Sequence, residues 1–169
     1  MNQELIQLRI SILEGRYQDA LAMIDQLEWM GNQQVLLTIE NFLVRLLIHL
    51  VKNHVEEKLT NAWAAGILDS VIKIYKLNIK DNKSSFYITK NDWKIYLNDV
   101  FEDAVFAASV EVANGAYKPH QLRDILHREK IINIANNFLI LTYIYTKDTL
   151  RDAIYEELIK LPGGENWSG

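Results

Sequence analysis

Apolar residues recur every three or four positions along most of the chain, which is the spacing of an amphipathic helix. The first such segment begins near Leu5 and is followed by Gly15. The period resumes at Tyr17 and continues to Gly31. Because glycine commonly follows the last turn of a helix, we expect one helix to end at each of these glycines.

The next segment, residues 32–56, is apolar over most of its circumference and predicts a helix at the centre of a bundle. Its polar residues follow one another at steps of four, four and three, which places them on a single narrow stripe. That stripe is a candidate functional site, although a histidine at the edge of a core is more often structural than catalytic. Its members are Asn41, Arg45, His49 and Lys52.

The rest of the chain predicts four or five more helices. Thr60 suits an N-cap, the period is lost between residues 80 and 90, and a helix then runs to Gly115. Pro119 suits the first turn of a short helix ending near residue 129, followed by helices over 131–145 and 148–161. We therefore expect an all-α, single-domain bundle of seven or eight helices without a substantial sheet.

The expected domain covers residues 1–161, since no long stretch rich in proline, glycine or serine divides it. Residues 162–169 begin with Pro162, Gly163 and Gly164 and predict a flexible C-terminal tail. Trp167 is the one residue in that tail whose apolar surface favours docking back onto the bundle.

The amino-acid composition excludes several kinds of reactive site and binding partner for such a bundle. The 169 residues contain no cysteine, which excludes disulfides, thiol nucleophiles and cysteine-based metal sites. A net charge of −4 argues against general nucleic-acid binding. The apolar stretch Phe42–Val51 is too short for a bilayer, which takes about 20 residues, and no signal peptide is evident. We expect a cytoplasmic protein without a membrane partner.

Signatures of the common catalytic folds are absent from the sequence. It has no Gly-x-Ser-x-Gly elbow, no phosphate-binding loop, no Gly-x-Gly-x-x-Gly and no His-Glu-x-x-His. We therefore predict no cofactor and favour a protein that is not an enzyme.

One set of side chains has metal-ligand spacing. His120, Asp124 and His127 follow at steps of four and three, so they would share one face of a continuous helix. Imidazole nitrogens with a carboxylate oxygen suit zinc or non-haem iron. The alternative is a short exposed helix that carries two surface histidines.

A second charged feature is a local excess of lysine. Residues 73–94 hold six lysines and two aspartates, a net charge of +4 in an acidic chain. Lys73, Lys76, Lys80 and Lys83 would share one face if the helix extends that far. With aromatic residues nearby, such a patch is typical of single-strand binding, but lysines also commonly solubilise the end of a helix.

Several segments resemble the bacterial family catalogued as domain of unknown function 29. They are Leu27-Glu28-Trp29-Met30-Gly31, the helix from Leu43 to Lys52, Trp63, and the acidic stretch from Tyr96 to Ala104. Ala62 stands before Trp63 where the family usually has serine. The resemblance implies an all-helical fold, frequent occurrence in cyanobacteria and no established activity. It marks His49 and Lys52 as pattern residues without giving them a role.

Three hypotheses for the function remain open at this point. The favoured one is a non-catalytic helical module that binds a protein partner or a second copy of itself. The next is a metal-binding protein or enzyme built on the His49 stripe or on the face of His120, Asp124 and His127. The third, weak nucleic-acid binding through Lys73–Lys94, has least support because the whole chain is acidic.

Overall fold

The computed structural model describes residues 2–169, and these form an all-α protein. Eight α-helices are present, helical residues with one 3₁₀ turn included make up 79% of the chain, and no strand occurs among the described residues, which confirms the predicted fold class. The helices are α1 (Asn2–Leu13), α2 (Tyr17–Glu56), α3 (Asn61–Asn78), α4 (Trp93–Ser109), α5 (Pro119–Ile125), α6 (Arg128–Ile144), α7 (Lys147–Ile159) and α8 (Gly164–Ser168), with a 3₁₀ turn at Val112–Gly115 between α4 and α5.

Helix α2 differs from the prediction because it is a single helix of 40 residues. Gly15 does end α1, in the left-handed region with φ +72°, whereas Gly31 lies inside α2 and does not have a positive φ. A lone glycine costs a helix only about 1 kcal/mol. Gly31 keeps a helical conformation and the helix continues on both sides of it, so the predicted break does not form.

The contacts between residues divide the chain into two compact units, the first ending at Leu37 and the second beginning at Thr38. The boundary falls within α2, where composition gave no sign of it. The first unit is a helical hairpin made of α1, the turn at Gly15 and the N-terminal part of α2. Among its described residues only Ser11 and Ala20 are buried.

The second unit contains the large core. The C-terminal part of α2 supplies fully buried aliphatic side chains, as predicted for the central helix, and α4 and α6 contribute the largest aromatic ones. These are Ile39, Leu43, Leu46, Leu47 and Val51 from α2, with Trp93 and Phe101 from α4 and Phe138 from α6. Burial of this kind contributes roughly 1.5–3 kcal/mol for each large side chain.

Side-chain hydrogen bonds, together with a short backbone pairing, hold the irregular connection between α3 and α4. Its one backbone bridge pairs Ile79 with Phe86. The Asn78 Oδ1 atom accepts from the Ile88 N–H at 2.7 Å, and the Tyr143 hydroxyl donates to the Ile88 carbonyl at 2.6 Å. Trp93 Nε1 donates to the same hydroxyl at 2.7 Å, and burial raises the pKa of Tyr143 to about 12. The connection is thus fixed to α3, α4 and α6.

The C-terminal residues form a docked helix where we expected a flexible tail. Trp167 of α8 donates through Nε1 to the Asn61 side chain at 2.8 Å, and its ring lies 5.2 Å from that of Tyr155. The Asn53 amide donates to the Pro162 carbonyl at 2.8 Å. Polar and aromatic contacts therefore attach both ends of residues 162–169 to the second unit.

Gly163 and Gly164 explain why a helix can form so soon after Pro162. Gly163 has φ +73°, a left-handed conformation that favours glycine. A Cβ on Gly164 would overlap the backbone carbonyls of Leu158 and Ile159. The glycines that we interpreted as helix breakers thus allow the chain to reverse tightly against α7.

Candidate functional site

Most side chains of the polar stripe on α2 contact neighbouring elements of the second unit. Arg45 Nη1 lies 2.7 Å from the Asp69 carboxylate of α3. Asn41, at the other end of the stripe, is exposed. The stripe therefore faces α3 at Arg45 and solvent at Asn41.

His49 of α2 packs directly against Gly66 of α3. A Cβ on Gly66 of α3 would overlap the His49 imidazole, so the ring occupies the space that the glycine leaves. The buried Nδ1 atom has no hydrogen-bond partner among the described residues. Burial, with the positive charges of Lys52 and Arg45, lowers the pKa of His49 to about 4. The ring is consequently neutral at pH 7.

Lys52 is a buried cation with a defined partner. It forms an ion pair with Glu111, just beyond α4, and its Nζ lies 6.0 Å from the centre of the Trp63 ring. Lys58 Nζ lies 5.5 Å from the same ring. Charge pairing and the aromatic face together compensate for the burial of the Lys52 ammonium group.

This arrangement favours a structural role for the stripe. The His49 ring fills the space beside Gly66, and burial lowers its pKa to about 4, so a neutral ring is packed between the two helices. The positive charges of Arg45 and Lys52 are neutralised by Asp69 and Glu111. The side chains therefore stabilise the packing of α2 against its neighbours.

The predicted metal face does not form. Helix α5 ends at Ile125, so His120 and Asp124 belong to α5, whereas His127 is the N-cap of α6. All three side chains are exposed. Within residues 2–169 no group of three or more histidine or acidic residues is arranged to hold a metal ion. The prediction is wrong because the spacing argument needed a helix longer than α5.

The predicted lysine face is wrong for the same reason. Helix α3 ends at Asn78, so Lys73 and Lys76 lie on α3 while Lys80 and Lys83 lie in the connection to α4. Lys83 has φ +58°, and Lys80 Nζ lies 5.4 Å from the Tyr87 ring. The four lysines therefore do not share one face.

The feature that sequence reasoning missed is the apolar surface of the hairpin. Eleven of the eighteen exposed large apolar side chains among residues 2–169 belong to the first unit. Leu13 is 78% exposed and Trp29 is 63% exposed. The helical period predicted helices there, but periodicity cannot show whether a second layer covers an apolar face. The eleven residues are Leu5, Ile6, Ile10, Ile12, Leu13, Tyr17, Leu21, Ile24, Trp29, Met30 and Leu37.

The hairpin also has a surface cavity of about 310 Å³ between its two helices. Met23, Leu27 and Met30 of α2 form its apolar side, opposite the polar residues Gln3 and Gln7 of α1. Flexible methionine side chains adapt to different apolar partners. Exposed apolar residues and this cavity make the hairpin the best candidate for a binding surface.

A second candidate lies between α3 and α7, within the second unit. One cavity, of about 460 Å³, is lined by Ala64, Leu68 and Leu158 together with the Tyr155–Trp167 ring pair. Another, of about 300 Å³, is lined by more polar residues. They include Tyr75 and Lys76 of α3 and Lys147, Asp148 and Arg151 of α7. Arg151 lines both cavities, so they adjoin.

Helix α2 alone among the described helices is long and apolar enough to cross a membrane by length and composition. Its most apolar window has a mean hydropathy of 1.6, and a third of that window is buried within the structure. The core helix of a soluble protein meets the same two criteria. Length and hydropathy therefore do not assign α2 to a bilayer.

Fold and site together define an all-α protein with an apolar helical hairpin. No protein-family model, curated protein or solved structure matches this chain. The resemblance to domain of unknown function 29 thus stays a prediction, and any functional conclusion depends on the chain's own residues.

Proposed function

We propose that this protein is a non-catalytic interaction module and that the hairpin of residues 2–37 is its protein-binding element. The observation that carries the proposal is the concentration of exposed apolar side chains on that hairpin. Contiguous apolar surface on a soluble chain is typical of a binding site, whereas single exposed apolar residues are not.

The geometry of the hairpin explains why its apolar residues stay exposed. Two helices side by side can bury only the faces that they turn to each other, and α1 has just 12 residues. Leu13 and Tyr17 flank the turn, and Leu21 and Ile24 follow on α2, all of them exposed. A further helical layer from a partner would bury these side chains, at roughly 25 cal/mol for each Å² of apolar surface.

Charge supports a protein partner over an anionic surface. The first unit has two arginines against five acidic residues, a net charge of −3. Arg16 is already paired with Glu14 at 2.9 Å and with Asp19 at 3.3 Å. An anionic membrane or a nucleic acid would be repelled by such a surface, because both recruit proteins through basic residues. A cytoplasmic, non-membrane location is part of the proposal, and this charge supports its non-membrane part.

The test is association at the hairpin, measured by size-exclusion chromatography with light scattering and by capture from the source lysate. We expect the wild-type chain to form a dimer or to retain a defined partner. Replacing Leu21→Gln and Ile24→Gln should weaken association by at least about tenfold, since two buried aliphatic side chains contribute more than about 1.4 kcal/mol.

The matched control is the pair Ile95→Gln and Phe106→Gln on α4, whose side chains are 63% and 64% exposed. This pair should associate like the wild type because it lies outside the hairpin. A chain that stays monomeric at high concentration and retains no partner would contradict the proposal. Equal loss of association in both pairs would contradict the assignment to the hairpin.

Membership in the family catalogued as domain of unknown function 29 is a further part of the proposal. Support comes from the sequence of Leu27–Gly31, the segment from Leu43 to Lys52 and Trp63, and an all-α fold agrees with what that family implies. The family supplies no activity, so this membership neither adds a reaction nor opposes an interaction module.

A further inference from the structure

From the adjoining cavities between α3 and α7, which we call the α3–α7 furrow, we infer a binding site for a small amphiphilic carboxylate. Such a ligand has an apolar chain or ring and a single anionic head. The furrow lies wholly in the second unit, so this inference is independent of the hairpin.

The furrow follows one face of α3. Its α3 residues include Ala64, Leu68, Ile72 and Tyr75, which recur at steps of three or four. Residues 61–68 border α7 residues 151–158, and residues 72–76 border 147–151, so the two helices run antiparallel along it. From residue 61 to residue 76 the α3 axis advances by about 22 Å, at 1.5 Å for each residue.

One end of the furrow is apolar and held in place. Leu68 and Leu158 line its sides, and the Tyr155–Trp167 pair lies against them. The bond from Trp167 Nε1 to Asn61, 2.8 Å long, fixes the indole. A preformed apolar cavity of about 460 Å³ is within the range of small-molecule sites.

The other end is cationic. Lys76, Lys147 and Arg151 line it with a single carboxylate, that of Asp148. Asp152 lines the apolar end near Arg151, so the furrow as a whole keeps a net charge of +1. In the region the structure describes, none of the three cations has a carboxylate within ion-pair distance.

Charge complementarity therefore selects an anion with an apolar body. Arg151 lies where the two cavities meet, so its guanidinium group is placed to receive a carboxylate while the rest of the ligand lies toward Trp167. A fully apolar molecule would leave the furrow's net charge of +1 without a counter-charge, and an inorganic anion would not use the apolar end.

The test is titration of the full-length ¹⁵N-labelled chain with decanoate, below the concentration at which decanoate forms micelles. The chain has four tryptophans, and the Trp167→Phe variant identifies the Trp167 indole resonance by its loss. We expect decanoate to shift that resonance saturably. The uncharged 1-decanol should bind at least about tenfold more weakly, because it lacks the charge-assisted hydrogen bond.

The variant Arg151→Gln should weaken decanoate binding by at least about tenfold for the same reason, and added salt should weaken wild-type binding. The control Arg9→Gln, exposed on α1, should bind as the wild type does. Circular dichroism checks that each variant is folded, and Lys147→Gln replaces Arg151→Gln if the latter unfolds.

Several results would overturn the inference. One is the absence of any saturable shift of the Trp167 resonance. Another is a shift confined to Trp29, which would place decanoate on the hairpin. The inference would also be overturned if decanoate and 1-decanol bound equally, or if wild type and Arg151→Gln bound decanoate equally. Binding of an acidic apolar peptide in place of decanoate would overturn it as well.

Discussion

At the scale of single residues, His49 and Gly66 set the distance between α2 and α3. The imidazole fills the volume that a side chain at position 66 would take. Around it, Arg45 pairs with Asp69 and Lys52 pairs with Glu111, so charge compensation surrounds a neutral ring. The packing of the His49 ring against Gly66 and the charge pairing around the ring therefore depend on each other.

Replacing Gly66→Ala tests this packing. Alanine normally stabilises a helix by about 1 kcal/mol relative to glycine, but here the added methyl group would overlap His49. We expect a net loss of roughly 1–3 kcal/mol in the free energy of unfolding, measured in urea.

Gly31→Ala is the matched control, because Gly31 is also inside a helix and a Cβ there meets nothing within 4 Å. It should stabilise the chain by about 0.5–1 kcal/mol. A stabilising Gly66→Ala would show that α2 and α3 do not pack at His49.

The lowered pKa of His49 predicts a dependence of stability on pH. In the unfolded chain the histidine regains its ordinary pKa of 6.5, whereas in the fold the pKa is about 4. Between these values the unfolded state binds more protons, so the free energy of unfolding falls as pH drops from 6.5 toward 4. Allowing for solvent screening, we expect a loss of roughly 1–2 kcal/mol between about pH 7 and pH 5.

Urea unfolding of the wild type and of His49→Gln at both pH values measures this loss. Burial lowers the pKa of His54 as well, so the quantity of interest is the part of the loss that His49→Gln removes. The exposed His120→Gln variant is the control and should keep the wild-type dependence. Identical pH dependence in His49→Gln and wild type would contradict the assignment.

At the scale of elements, short polar contacts decide where a helix ends and how the chain continues into the next one. The Asn53 amide donates to two carbonyls, those of Lys58 at 2.9 Å and Pro162 at 2.8 Å. It thereby links the end of α2 to the segment that leads into α8. The Asn53 side chain thus helps to hold the C-terminal residues in place.

Asn53→Ala should therefore loosen the C-terminal segment. Loss of both hydrogen bonds leaves two carbonyls without that donor, and we expect the free energy of unfolding to fall by about 1–3 kcal/mol. Limited proteolysis should also cut residues 160–169 faster. Asn137→Ala, exposed on α6, is the control and should change neither measurement. Unchanged proteolysis in Asn53→Ala would show that α8 is held by Trp167 alone.

At the scale of the whole molecule, buried apolar residues are distributed unevenly between the two units. The second unit contains nearly all of them, whereas the first has Ser11 and Ala20 as its buried residues among those described. Local stability depends on buried apolar contacts, so the hairpin is the less stable unit in a free chain.

Hydrogen exchange checks this prediction. In dilute solution the amides of residues 2–30 should exchange faster than those of residues 43–51, where the α2 core lies. Raising the protein concentration, or adding a captured partner, should slow exchange in residues 2–30 alone. Full protection of the hairpin at the lowest concentration would contradict both the stability difference and an uncovered binding surface.

Much of the fold arises from patterns that are local in the chain. The Thr60 hydroxyl accepts from the Trp63 N–H at 3.1 Å as an N-cap, Pro119 begins α5, and Gly15 ends α1. The apolar period also predicted the buried aliphatic face that α2 has from Ile39 onward. Each of these predictions depends on neighbouring residues, which the sequence displays directly.

The candidate sites were predicted less well because they depend on helix lengths and on distant contacts. The predicted metal face required one helix to continue from His120 to His127, but α5 ends before His127. The predicted lysine face required one helix to continue from Lys73 to Lys83, but α3 ends before Lys80. The α3–α7 furrow joins residues about 80 positions apart in the chain, so no local motif marks it.

The sequence by itself determined the all-α class, most helix starts and the polar stripe on α2, because helical periodicity and capping are local. Only the tertiary structure showed that Gly31 lies within a helix, that α8 docks, and that the hairpin's apolar faces are exposed while those of α2 after Ile39 are buried. The same period of apolar residues produces both outcomes. Whether such a face is buried depends on the element that packs against it, and that element is distant in the chain.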